Sequence, residues 1–216
     1  MELNKFINHM LLGATLGPED VKLLCNEAKE LKFSSVYVNG IYVSLAAKEL
    51  KESTIRVGTV VGYPFGTSSS EVKLFETKKY IEDGADEISL IINFGMLKSG
   101  QIEYIRNEIE NIKNIAEKKL LKVVVDLDYL TYEERNILIY VCLDLGINNF
   151  EILKRKITVE DIKEIDSLTK EDLEMGIVGE IKNLSNMKLF INAGIKSFNT
   201  ISGVKISKEI NDNFWS

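Results

Sequence analysis

Short apolar runs rich in β-branched residues alternate along the whole chain with longer amphipathic stretches. They predict eight strands, at Asn8–Leu12, Ser35–Asn39, Val57–Gly62, Glu87–Asn93, Lys122–Leu127, Asn148–Leu153, Met175–Ile181 and Ser197–Ile201. Runs such as VVVDL and ISLIIN are apolar almost throughout, which is typical of parallel strands that are buried on both faces. Since right-handed crossovers link such strands through helices, eight repeats predict a closed (β/α)8 barrel, the TIM barrel.

Local signals mark several of the intervening helices. Pro18 opens one helix, where the missing N–H of proline costs nothing, and Thr131 with Glu134 forms a capping box at the start of another. A single helix is predicted over Ser99–Lys119. The competing architecture is an open, doubly wound sheet, but the chain has no glycine fingerprint of that fold. The sequence therefore favours the barrel.

The length of the chain indicates how many domains it forms, and its charge argues against some classes of ligand. The 216 residues fit one domain, 1–216, because α/β barrels of up to ~250 residues form single domains. The net charge of -6 argues against a surface for nucleic acid or anionic membranes. An acidic chain can still contain a local pocket for an anion.

The cysteines, the single histidine and the amino-terminal residues indicate whether a metal site is expected and in which cellular compartment the protein is expected. Cys25 and Cys142 lie in apolar helical patterns and are predicted to be reduced cysteines of the core. With His9 as the single histidine, neither a metal site nor a cofactor is predicted. No signal-peptide pattern and no apolar stretch of ~18 residues is present, so we expect a cytoplasmic protein.

The segment Thr59–Gly100, TVVGYPFGTSSSEVKLFETKKYIEDGADEISLIINFGMLKSG, strongly resembles the deoxyribose-phosphate aldolase family. The resemblance continues in ELKFSSVYVNGIYVSLAAKEL, in LKVVVDLDYLTYEE and in NAGIKSFNTISGV. It covers nearly the whole chain and weakens between Phe150 and Lys182. It implies a TIM barrel that makes or breaks a carbon–carbon bond through a lysine imine, with no cofactor.

The resemblance also implies which residues should carry that chemistry, and here the chain departs from the family. A lysine forms the imine, a second lysine lowers the pKa of the first, and an aspartate relays protons. The collinear positions in this chain are Glu151, Gly176 and Ser89, in that order. Glutamate is no amine nucleophile, and a serine hydroxyl cannot replace a carboxylate in proton relay.

Other pocket positions suggested by the resemblance are altered in part. The residues predicted to line the pocket are Asn8, Tyr37, Asn39 and Asp126, and the remnant of an anion site is predicted at Gly179, Lys182, Ser202 and Gly203. Asn8 replaces a family acid, and the bulkier Tyr37 replaces a cysteine and is expected to fill the pocket. Glu180 replaces a glycine of the phosphate cradle, so its carboxylate would repel phosphate.

These departures favour a catalytically degenerate member of the family over an active enzyme. Such a protein would have a binding, regulatory or assembly role. The alternative is an active aldehyde-lyase on 2-deoxyribose 5-phosphate or another sugar phosphate. It would use a relocated lysine, Lys154, or acid-based chemistry at Asp126 and Glu151, which we expect to lie beside each other in one acidic opening at the pocket mouth. The expected partners are another protein or a small phosphorylated ligand, and the expected assembly is a homodimer.

Overall fold

Eight parallel strands close into one barrel in the computed structural model, which describes residues 2–168, 173–179 and 181–212. The strands are β1 Ile7–Leu11, β2 Ser35–Val38, β3 Arg56–Val61, β4 Glu87–Leu90, β5 Leu120–Asp126, β6 Asn149–Leu153, β7 Glu174–Val178 and β8 Ser197–Thr200. Each strand pairs with its neighbour in the chain, and β8 closes the barrel against β1. The predicted TIM barrel is confirmed.

Helices follow the strands and cover the outside of the barrel. They are α1 Pro18–Leu31, α2 Val43–Glu49, α3 Ser70–Glu82, α4 Phe94–Lys98, α5 Ile102–Ala116, α6 Tyr132–Asp144, α7 Val159–Asp166, α8 Leu184–Asn192 and α9 Gly203–Asp212. The capping box of Thr131 and Glu134 is present at the start of α6. No helix in the described part of the chain is long and apolar enough to cross a membrane.

The predicted boundaries of the fourth strand and of the helix that follows it differ from those in the structure. The strand ends at Leu90 rather than Asn93, because the Asn93 side chain accepts the backbone N–H of Met96 and caps α4. The helix predicted over Ser99–Lys119 begins only at Ile102, as α5, and Gly100 lies between it and the preceding α4 with φ of 72°. Glycine suits that left-handed conformation because it has no Cβ.

The apolar core lies between the outer faces of the strands and the helices. Side chains such as Val36, Val38, Ile88 and Leu90 are fully buried there. Cys25 on α1 is also buried and unpaired, as predicted, and burial raises the pKa of its thiol to about 11. This shell leaves the inside of the barrel to a different set of side chains, most of which are polar.

Candidate functional site

A cluster of buried polar side chains fills the middle of the barrel. We call it the interior cluster, and its members, from β1 to β8, are Asn8, Tyr37, Glu87, Ser89, Lys122, Glu151 and Asn199. Side chains alternate between the two faces of a strand, so residues separated by two positions, such as Glu87 and Ser89, share the inner face. The cluster brings together four positions that the sequence singled out: Asn8, Tyr37, Ser89 and Glu151.

Lys122 on β5 is the cation of the interior cluster. Its Nζ lies 2.7 Å from Oε2 of Glu87 and 3.5 Å from Oε1 of Glu151, and 5.2 Å from the centre of the Tyr37 ring. All four side chains are almost completely buried. A buried charge is tolerable when it is paired in this way. Lys122 therefore lies between two carboxylates inside the barrel, and Arg56, with its Nε 2.8 Å from Glu87, is a second cation beside them.

Tyr37 fills the space on the opposite side of the cluster, as the sequence predicted. Its hydroxyl donates to Oε2 of Glu87 at 2.8 Å and accepts from the hydroxyl of Ser89 at 3.3 Å. Gly58 makes room for the ring, since a Cβ there would lie 2.4 Å from it. Burial, and then the charges of Glu151 and Glu87, raise the pKa of Tyr37 well above its usual value. Tyr37 therefore stays a neutral hydrogen-bond donor.

Glu151 occupies the inner face of β6, where the resemblance would place the imine-forming lysine. The Asn199 amide donates to its Oε1, and the Asn8 amide donates to Oδ1 of Asn199 at 2.6 Å. In the strand register Glu151 lies beside Val124, whereas Asp126 lies beside Leu153. The expectation that Asp126 and Glu151 form one acidic opening was therefore wrong, because they occupy different layers of the barrel.

Gly176 and Asp126 mark the two ends of the interior. Gly176 on β7 lies near the amino ends of the strands, and a Cβ there would lie 2.5 Å from the hydroxyl of Ser197. Asp126 ends β5, is 5 % exposed, and accepts the backbone N–H of Asp128 at 2.9 Å. Burial is the main cause that raises the pKa of Asp126. This hydrogen bond orders the loop that follows β5, so Asp126 has a structural partner.

Asn39 and His9, which are both near the barrel wall, have structural partners. The Asn39 amide donates to the carbonyl of Gly13 at 2.7 Å and ties the loop after β1 to the end of β2. His9 lies 2.9 Å from the carboxylate of Glu27 on α1. In the described part of the chain, no three His, Cys, Asp or Glu side chains form a group that could hold a metal ion.

A cavity of about 340 Å³ opens where the loops follow β6 and β7, and we call it the carboxyl-end cavity. Four cationic residues line it, Lys154, Arg155, Lys156 and Lys182. Gly179, whose φ is 145°, lines it as well. Functional sites of this fold lie at this end of the barrel. The lining makes the cavity suited to an anion.

The predicted anion site is only partly assembled. Gly179 and Lys182 line the carboxyl-end cavity, but Ser202 and Gly203 do not. The Ser202 carbonyl instead accepts the N–H of Ile206 in α9, and Gly203 begins that helix. Glu180, the predicted source of repulsion, lies outside the described residues. The sequence prediction missed Arg155 as a lining residue, although the run KRK was the signal.

Lys154 lines the cavity rather than belonging to a fully solvated loop. Its side chain is 28 % exposed, against 92 % for Arg155, and its Nζ lies 2.6 Å from Oδ1 of Asp161 on α7. Burial acts to raise the pKa of Asp161, but hydrogen bonds from Lys154 and Thr158 outweigh it and hold that pKa below its usual value. The geometry thus leaves a positioned, partly buried amine at this end of the barrel.

Comparison with known proteins shows the family of this chain. Residues 6–193 match the family described as DeoC/LacD family aldolase. A deoxyribose-phosphate aldolase of Treponema denticola is 40% identical over 215 residues, which cover 95% of this chain and 98% of that protein. One of Streptococcus gordonii is 36% identical over 212 residues, 96% of each chain. The solved structure of an aldolase called QR15 superposes with a TM-score of 0.92 at 25% identity, and covers 99% of this chain and 97% of its own.

A structure at lower identity supports the fold alone. A putative deoxyribose-phosphate aldolase from Coccidioides immitis has a TM-score of 0.91 at 23% identity, with 97% of this chain and 86% of that chain covered.

Proposed function

Because the chain belongs to the DeoC/LacD family of aldolases, we propose that it acts on a small sugar phosphate at the carboxyl-end cavity. The observation that carries the proposal is the lining of this cavity by Lys154, Arg155, Lys156 and Lys182. A phosphate group needs charge-assisted hydrogen bonds, and lysine and arginine donate them. Sites in TIM barrels that bind phosphate commonly use the loops after the seventh and eighth strands.

The reaction that we propose first is the retro-aldol cleavage of an aldehyde sugar phosphate such as 2-deoxyribose 5-phosphate. The named activity of the relatives supports it, since their identity of 34–40% extends over almost the full length of both chains. The reaction needs an amine. Its nitrogen bonds to the aldehyde carbon, and the aldehyde oxygen leaves as water. As the carbon–carbon bond breaks, the imine takes its electrons and becomes an enamine, while the hydroxyl of the departing fragment loses its proton to water and becomes an aldehyde. Protonation of the enamine carbon and hydrolysis then release the second aldehyde and restore the amine.

Lys154 is the amine that we assign to this step. Only a free amine can attack the aldehyde carbon, and the Nζ of Lys154 is held by the Asp161 carboxylate at 2.6 Å. Cleavage by Lys154 therefore requires that its side chain leave Asp161 when substrate binds.

A second candidate function is binding without turnover, as the sequence predicted. It is favoured by the interior cluster, because Glu151, Ser89 and Gly176 stand where an acid and two lysines would be needed. Lys122, the amine in the described interior, is held by Glu87 and Glu151. The protein would then bind a sugar phosphate in the carboxyl-end cavity and act as a sensor or as the partner of another protein. The cytoplasmic location and the homodimer stay predictions.

Borohydride trapping separates the two functions. The protein is incubated with 2-deoxyribose 5-phosphate, borohydride is added, and the intact mass is measured. If Lys154 forms an imine, hydride reduces it and the mass rises by one reduced adduct, which peptide mapping places at Lys154. The variant Lys154→Met should then lose the adduct and the release of aldehyde, while Lys78→Met, at an exposed site on α3 outside the cavity, keeps both.

The other outcomes are equally clear. No adduct, with a known aldolase labelled in parallel, would overturn the proposed cleavage, and phosphate-dependent binding of the sugar would then support the second function. An adduct that maps to Lys122 would overturn the assignment of Lys154 and place the chemistry inside the barrel. Absence of both adduct and binding would overturn the carboxyl-end cavity as a sugar-phosphate site.

A further inference from the structure

A second cavity, of about 210 Å³, opens at the opposite end of the barrel, where the strands begin. We call it the amino-end cavity. Four cationic residues line it, Lys5, Arg56, Lys122 and Lys196, against one acidic residue, Glu174. It shares no lining residue with the carboxyl-end cavity. The proposed function does not use this part of the molecule.

The cations of the amino-end cavity differ in how far they are neutralised. Lys122 is paired with Glu87, and Arg56 Nε lies 2.8 Å from the same carboxylate, although off the line of a hydrogen bond. Lys5 and Lys196 are exposed at the rim, and no carboxylate of the described residues lies within 4.0 Å of either amine. The rim therefore has positive charge that the fold does not use.

The deep end of the amino-end cavity has a hydrogen-bond acceptor without a donor. Asn8 is 1 % exposed and lines the cavity. Its amide nitrogen donates to Oδ1 of Asn199, which fixes the orientation of the side chain. Its own Oδ1 is buried and has no hydrogen-bond partner among the described residues. Such atoms nearly always have a partner, so this oxygen indicates that a donor belongs in the cavity.

Gly176 and Ser197 line the same cavity as Asn8. A Cβ at Gly176 would lie 2.5 Å from the Ser197 hydroxyl, so the wall of the cavity is closely packed at this point.

We propose that the amino-end cavity binds a small anion that carries a hydroxyl group. Its phosphate or carboxylate lies between Lys5, Lys196 and Arg56, and its hydroxyl donates to Oδ1 of Asn8. The volume of about 210 Å³ lies below the range of roughly 300–1,000 Å³ for drug-sized ligands, which fits a compound of about three carbons. The shared chemistry covers both hydroxyalkyl phosphates and hydroxy acids, and the experiment separates them.

Titration calorimetry with three probes tests which ligand chemistry the amino-end cavity accepts. The protein used is the double variant Lys156→Gln with Lys182→Gln, so that binding in the carboxyl-end cavity contributes little heat. Glycerol 3-phosphate and glycerate represent the two anions, and whichever binds more tightly identifies the source. Propyl phosphate has a similar size but no hydroxyl, and it should bind about fivefold more weakly than glycerol 3-phosphate. Equal binding of these two phosphates would overturn the contact with Asn8.

The double variant Lys5→Gln with Lys196→Gln tests the site itself. It should weaken the preferred anion by about tenfold or more, since two charge-assisted contacts are lost. Both side chains are exposed and without ion-pair partners in the described part of the chain, so the thermal midpoint should not change. Lys78→Gln, another exposed lysine, is the matched control. Unchanged affinity in the double variant, or no heat with any probe, would overturn the proposal.

Discussion

The interior cluster and the carboxyl-end cavity use their cations in opposite ways. Inside the barrel, Lys122 lies against two buried carboxylates, Glu87 and Glu151, and no part of its charge is left for a ligand. At the carboxyl end, four cationic residues line one cavity. Two of them have a carboxylate partner, Lys154 with Asp161 and Arg155 with Asp128. Lys156 and Lys182 have none within 4.0 Å among the described residues. The first arrangement stabilises the fold, whereas the second is suited to recognise an anion.

Because the two regions differ in burial, substitutions in them should differ in their effect on the free energy of unfolding. Removing one member of a buried ion pair leaves an uncompensated charge and costs about 3–5 kcal/mol. Exposed ion pairs contribute about 0–1 kcal/mol. Substitutions in the interior should therefore change mainly the free energy of unfolding, and substitutions at the carboxyl end should change mainly the affinity for ligand.

The largest effect is expected for Lys122→Met. Methionine keeps most of the side-chain volume but leaves Glu151 without a cation and Glu87 with Arg56 alone. The free energy of unfolding should fall by about 3–5 kcal/mol at neutral pH, as measured by urea denaturation. Lys156→Met is the matched control at the carboxyl end and should change stability by less than about 0.5 kcal/mol. Equal losses in the two variants would contradict the comparison.

Tyr37→Phe should have the next largest effect on stability. It removes one hydroxyl that donates to the Glu87 carboxylate and leaves the ring in place. Because hydrogen bonds to charged groups contribute about 1.5–3 kcal/mol, urea denaturation should show a loss in that range. Tyr132→Phe makes the same chemical change on an exposed side chain, and a loss there as large as at Tyr37 would remove the reason to treat the interior as special.

At the carboxyl end, Lys182→Met should affect binding rather than folding. The affinity for 2-deoxyribose 5-phosphate, measured by calorimetry, should fall by about tenfold, since one charge-assisted contact to phosphate is lost. The urea midpoint should stay that of the parent protein, because Lys182 is exposed. Lys78→Met, at an exposed site on α3, controls for the loss of one positive charge. A stability loss without an affinity loss would reverse the assignment.

The barrel could be predicted from the sequence because each strand combines a continuous apolar run with a following helix. That pattern predicted the positions of all eight strands. The errors in the strand and helix boundaries occur where a side-chain hydrogen bond overrides the local secondary-structure propensity. Asn93 ends the fourth strand by capping α4, which no periodicity shows. The departures from the family at Ser89, Glu151 and Gly176 rest on the fixed distances of these residues from well-matched segments, and they stay predictions.

The arrangement of the interior could not be predicted, because it depends on which inward-facing side chains meet across the barrel. Tyr37 contacts Glu87 across 50 residues of sequence, and Asn8 contacts Asn199 across 191. The expected acidic opening failed for the same reason, since the register sets Asp126 one layer away from Glu151. The position of Lys154 likewise follows from Asp161 on α7, and the sequence alone gave no reason to join the two.

The smallest effect, and the one that depends on pH, is expected for Asp126→Asn at the border between the two regions. Burial raises the folded-state pKa of Asp126 above 3.8, so the protonated form is the better tolerated one. The stability that this contributes is fully present below pH 3.8 and is lost as pH rises through the folded-state pKa.

Asparagine avoids the loss and retains an oxygen that can accept from Asp128. The variant should therefore be more stable than the parent by up to about 1 kcal/mol at neutral pH and no more stable near pH 4, as measured by urea denaturation at both values. A gain that is independent of pH would show that the charge of Asp126 is not its cause, and a loss at neutral pH would place Asp126 with Lys122 among the charges that the fold requires.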